Sequence, residues 1–358
     1  MKSERMKNNL ILFGAALLYF LLLRGSDAAA QGFRSALGQC ADAIVPTLFP
    51  LMAVTGFLSA LPTPGVVCRL AERVLRPLFG ISGNAAPVFL FGATGGYVLG
   101  VGNADALYGS GALSKEDAKK AALINVHPGI GFSVLLTGAS VFDSAKAGLL
   151  LYAAVTAGNL LTGLLFFCRK ENLNPSGERQ SRAKEKDSGQ ANVSMALIDA
   201  VKGTVTGVGV LCGWIVLFAS LSAVFEEKIS FGPFRVLLEV TDGVRFCKTA
   251  GNLPLCAAAL AFGGACISLQ LFPALSRLGV RMRTYLLFRL LSGTFAYLFV
   301  FGFLKCFPQA IPVVSGTVGG TLREITLHRR QLTAALALMA ATFMRSLSRP
   351  SPREPDTW

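Results

Sequence analysis

An all-α, polytopic transmembrane protein with two repeats related by inversion, and with re-entrant helical hairpins, is the fold class this sequence predicts. Hydrophobic residues make up 53% of the 358 and charged residues only 15%, against roughly 25% charged in soluble domains. Apolar runs at 36–61, 121–139, 147–168, 195–225 and 285–304 approach the roughly 20 residues needed to cross a bilayer. Basic residues sit at the ends of these runs. The formal charge of +14 therefore reads as membrane topology, and no stacking-aromatic motif accompanies it to suggest nucleic acid. The lipid bilayer is the expected partner, the cell membrane the expected location, and a homo-oligomer is compatible with both.

Residues 1–34 contain Lys2, Arg5 and Lys7, the apolar run 10–23, and Asp27-Ala28-Ala29-Ala30. This pattern fits either a signal peptide or an uncleaved anchor. The anchor is preferred, because the remaining chain is itself membrane-spanning. Residues 169–194 are poor in apolar side chains and divide two apolar halves, so they are expected to form a solvated cytoplasmic linker. The halves span 35–168 and 195–345, and 346–358 is a polar tail. The last span falls at 311–321 or at 332–346.

The halves look related. An ungapped shift of 168 positions lays Gly95-Gly96 on Gly263-Gly264, Ala106-Leu107 on Ala274-Leu275 and Gly111 on Gly279. Both 87–107 and 254–275 are apolar yet carry paired glycines and polar residues near their middle. Glycine weakens a helix and exposes backbone groups, which membrane depth tolerates only where protein or a wet cavity satisfies them. A re-entrant hairpin fits better than a straight span. It also keeps Arg69, Arg73, Arg76, Lys115, Lys119, Lys120 and the linker on the inner side with the N-terminus, as the positive-inside bias prefers. Three spans per half would invert the second repeat, leaving Arg277, Arg281 and Arg283 outside.

Several short elements, taken in order, resemble the nucleoside recognition or gate domain family, in particular its sporulation integral membrane protein branch. They are Gly95-Gly96-Tyr97-Val98-Leu99-Gly100, then Gly111-Ala112-Leu113-Ser114 before a helix, then Asn125-Val126-His127-Pro128-Gly129-Ile130-Gly131-Phe132, then Leu238-Glu239-Val240-Thr241-Asp242-Gly243, and Ala261-Phe262-Gly263-Gly264 with Ser268 and Gln270. The resemblance covers roughly 37–303. Val98 stands where the family usually has proline, and Val126 where a second asparagine is common. The resemblance implies two gate-like repeats, a nucleoside-carrier pattern and a role in building or maturing the spore envelope.

Polar groups at membrane depth are costly and are usually kept for a reason. Thr94, Asn103, Asn125, His127, Ser268 and Gln270 are the candidate substrate-binding residues, with Asp105 beside them. They are expected to face one cavity where the tips of the two broken segments meet the Asn125-to-Pro128 break. Taken one at a time, each could instead make an interhelical hydrogen bond. Glu239 and Asp242 are expected to cap or flank an amphipathic helix over 234–249, and Ser114 to cap the helix that follows it. No catalytic, cofactor or metal site is expected: the two histidines, His127 and His328, lie far apart, the cysteines form no CxxC pair, and no nucleophile-base spacing appears. Together with what the resemblance implies, the preferred function is a sporulation-associated membrane protein that moves or binds a small polar or nucleoside-like solute. A non-transporting assembly factor for spore envelope or cortex is the alternative, and an intramembrane enzyme the weakest class.

Overall fold

Residues 2–167, 193–226, 235–307 and 311 are described by a computed structural model of the chain. The linker at 169–192, all but Ile311 of the two candidate last spans, and the tail lie outside the described residues. The chain is a polytopic helical membrane protein. Among the described residues, Ser26–Ala60, Ala145–Phe167, Val193–Phe225, Leu253–Arg277 and Met282–Cys306 are helical lengths long and apolar enough to cross a bilayer. Each contains or overlaps an expected run, except Leu253–Arg277, which was expected to turn back.

In chain order, α1 (Lys2–Arg24) leads into α2 (Ser26–Gln39), a π-helical turn at Cys40–Ile44, and α3 (Val45–Ala60). The amphipathic α4 (Gly65–Phe79) is followed by α5 (Ala86–Gly95), α6 (Tyr97–Gly109) and α7 (Lys115–Ile124). A π-helix at Gly131–Val141 precedes α8 (Ala145–Phe167), after which come α9 (Val193–Glu226), α10 (Arg235–Leu238) and α11 (Val240–Thr249). The last described elements are α12 (Leu253–Phe262), α13 (Gly264–Arg277) and α14 (Met282–Cys306).

Helices α8, α12 and α14 pack together at the centre, while α9 lies along α2 and α3. Between lipid-solvated helices association relies on close van der Waals fit, which small residues permit. A Cβ on Gly158 of α8 would stand 2.6 Å from the Ser292 carbonyl oxygen of α14, and one on Gly32 of α2 would stand 2.6 Å from that of Ala219 in α9. Both glycines are therefore contact points between spans.

The segment 87–107 folds back as expected. Gly96 has φ +89° and ψ −168°, a conformation essentially reserved for glycine, and it reverses the chain so sharply that a Cβ on Gly92 would stand 3.0 Å from the Gly100 Cα. Those residues would be about 12 Å apart along one helix.

Three expectations need correction. The segment 254–275 does not fold back: α12 and α13 continue through Gly263-Gly264 as one 25-residue apolar length. The run 121–139 is not one span, because α7 stops at Ile124, the chain is irregular over 125–128, and the eleven-residue helix at Gly131–Val141 is of the wider π type. The amphipathic helix expected over 234–249 breaks at Glu239, whose extended backbone (φ −138°, ψ 130°) separates α10 from α11. Both caps are present: Ser114 accepts from the Asp117 N–H, and Glu239 accepts from those of Thr241 and Asp242.

Candidate functional site

Four chain breaks meet inside the molecule. The hairpin tip abuts the end of the 125–128 break, since a Cβ on the next residue, Gly129, would stand 2.7 Å from the Gly96 nitrogen and 3.0 Å from the Thr94 carbonyl oxygen. Tyr97, just past the tip, donates its hydroxyl to the Leu260 carbonyl at 2.7 Å, one turn before the Gly263-Gly264 break. The Leu238–Glu239 peptide packs on Gly264, 3.1 Å from where its Cβ would be.

Arg289 of α14 ties two of these breaks together. It is fully buried, donating from Nε to the Phe262 carbonyl at 3.3 Å and from Nη1 to the Val126 carbonyl at 2.7 Å. The Phe262 oxygen ends α12 and the Val126 oxygen lies just past the end of α7, where a continued helix would have supplied each with a donor. Asn159 of α8 completes the junction: its Nδ2 donates to the Val126 oxygen at 3.0 Å, and its Oδ1 accepts from Arg289 Nη1 at 3.3 Å. Arg289 Nη2 is buried with no hydrogen-bond partner, and no ion pair to Arg289 occurs among the described residues. A buried guanidinium held by dipoles alone is unusual, because charge at low dielectric is normally paired.

The expected site residues divide. Asn125 and His127 are buried at the junction. The Asn125 side chain lies between the hairpin legs, its Oδ1 2.7 Å from where a Gly92 Cβ would be, and its Nδ2 has no partner. His127 accepts from the Gly129 N–H at Nδ1 (2.9 Å), which leaves the proton on Nε2, 2.7 Å from the Thr156 hydroxyl. Thr156 in turn donates to the Tyr152 carbonyl, so His127 is a neutral, oriented imidazole. Thr94 donates to its own helix, at Leu90, and borders a cleft shared with Gly96, Tyr97, Pro128 and Ile267. Ser268 is buried in α13, donating to the Gly264 carbonyl and accepting from the Tyr285 hydroxyl at 3.3 Å. Asn103 and Gln270 sit further along α6 and α13, which pack together; each keeps one buried polar atom without a partner.

Asp105 does not join the junction. It pairs with Arg277, whose Nε is 3.1 Å from Oδ2, at the far ends of α6 and α13. Sequence reasoning missed Arg289 and Asn159, both inside runs read as uninterrupted. An arginine within the run 285–304 was the signal that could have found the first.

The fold and its buried polar junction define the class: a polytopic helical membrane protein with polar groups gathered at broken helices. The chain is 23% identical over 344 aligned positions to the sporulation integral membrane protein YlbJ of Bacillus subtilis (strain 168), a similarity covering 82% of this chain and 82% of that protein. No family model matches the chain, and no solved structure matches it.

Proposed function

We propose that the protein acts in spore formation as a membrane carrier with gate-like broken helices, binding and moving a small polar solute at the junction around Arg289. The observation that supports this most is the buried guanidinium with a free Nη2. Guanidinium only donates, so its complement in a solute is an acceptor-rich group, and an anionic one gains most. Paired breaks exposing helix ends are the usual construction of a transporter site. The relative's printed name supplies the sporulation context.

The reading as an assembly factor draws on the cleft at the hairpin tip, about 40 Å³, room for a few waters and not for a nucleoside. On the carrier reading, this is a closed state, and solute enters when the tip parts from Pro128.

Uptake by purified protein in liposomes, screened over nucleosides and small anions, separates the two. Transport should be saturable and lost in Asn125→Leu and Gln270→Leu at normal protein level. No movement of any solute, with sporulation still dependent on the gene, would favour assembly. Loss of abundance in proportion to activity would make these side chains packing hydrogen bonds.

A further inference from the structure

Helix α4 carries three different faces. At about 100° per residue, Leu75 and Phe79 fall on the side packed into the protein, and both are buried. Val66, Leu70, Val74 and Leu78 form a contiguous stripe on a second side, 57%, 56%, 55% and 41% exposed. Arg69, Arg73 and Arg76 share the third, all exposed. Glu72, the helix's acid, is engaged by Arg76 at 2.8 Å and by the Gly83 N–H at 2.7 Å. Arg69 and Arg73 form no ion pair among the described residues.

The placement of α4 fixes its depth. Its axis turns by 107° relative to the Gly83–Gly95 leg of the hairpin, so it runs across the direction of that leg. The Phe79 ring stands 3.1 Å from where a Cβ on Gly163 would be, and Lys120 lies over the ring of Phe167, the last residue of α8. The C-terminal end of α4 is therefore level with the end of a membrane span. At that depth the branched stripe meets acyl chains, and the arginines beside it meet headgroups, the arrangement of an interfacial helix. Exposed guanidinium groups with no carboxylate partner complement phosphate.

We propose that α4 is an interfacial helix that binds anionic phospholipid, with Arg69 and Arg73 recognising the headgroup and the Val66–Leu78 stripe seated among the chains. The bound lipid would brace the hairpin, since Glu72 holds the Gly83 N–H and Asp117 accepts from the Ser82 N–H at 3.2 Å. This inference is independent of what the protein transports.

The test uses the full chain with Trp214→Phe and Trp358→Phe, carrying Leu70→Trp as reporter and Val74→Trp as a second one. It is reconstituted in phosphatidylcholine containing a minor fraction of brominated phosphatidylglycerol or brominated phosphatidylcholine. Both reporters should be quenched more strongly by the brominated anionic lipid. Arg69→Gln and Arg73→Gln should each lower that preference about fivefold, while lysine at both positions keeps it. Equal quenching by the two lipids would overturn the headgroup recognition. Absence of quenching by either would overturn the interfacial placement, leaving the stripe covered by a second copy or another protein. Adding salt should weaken the preference, as for any exposed charge attraction.

Discussion

The two glycine-broken segments begin from similar sequence and solve the same problem in opposite ways. At Gly96 the chain folds back, and the legs α5 and α6 cover one another through Gly92 and Gly100, with Asn125 filling the space between them. At Gly263-Gly264 the chain runs on, so carbonyls near the end of α12 have no helical donor and receive side chains from elsewhere: Tyr97 at Leu260 and Arg289 at Phe262. The first break also imports a donor, the Tyr152 hydroxyl of α8 at the Ala93 carbonyl, 3.2 Å away, since in lipid such donors have to be protein groups. The break that passes through imports two, and one of them is a charged guanidinium. The second break therefore attracts the charge, although the first has the more extreme backbone.

The comparison also bears on the symmetry of the halves. Leaving their breaks, α6 and α13 run in the same sense: Tyr97 lies beside Gly263 at the start, and Asp105 pairs with Arg277 at the end. An axis in the membrane plane would set equivalent helices antiparallel, so this pair does not show the inversion that the 168-residue offset suggested.

The largest effect is expected at the imported arginine. Arg289→Leu leaves the Phe262 carbonyl buried without its donor and should cost on the order of 3 kcal/mol, read as a lowered Tm in detergent; if the proposed carrier function holds, transport is lost as well. A normal Tm would show that the second break needs no donor. Gly96→Ala comes next, at about 1–3 kcal/mol, because alanine cannot adopt that backbone without strain and its methyl would meet the Pro128 carbonyl oxygen at 3.0 Å. Gly263→Ala should cost less, about 1–2 kcal/mol, since its nearest neighbour is the Ile267 side chain at 3.5 Å. Equal effects on unfolding would erase the distinction between the breaks. Tyr97→Phe removes one hydrogen bond between them and should cost about 1 kcal/mol, measured against Gly263→Ala in the same assay. Asp105→Asn should be smallest, at most about 1 kcal/mol in thermal unfolding, because Arg277 is 63% exposed and such pairs contribute little.

The sequence by itself determined the solvent, the helical class, most of the spans and both breaks. These follow from local properties: run length against bilayer thickness, and glycine pairs that a straight span does not need. It also indicated that Asn125 and His127 sit at a break, because Pro128 and Gly129 follow them directly. It did not determine that one break would fold back and the other continue, since both segments carry the same kinds of residue and the difference lies in what packs beside them. Nor did it distinguish Asp105, drawn into a peripheral ion pair by Arg277, from residues that reach the junction. Arg289 and Asn159 fell inside runs that read as uninterrupted spans. Only tertiary structure placed them beneath carbonyls contributed by residues more than a hundred positions away or on other helices, because the partners of a buried donor are set by packing between distant segments and not by its neighbours along the chain.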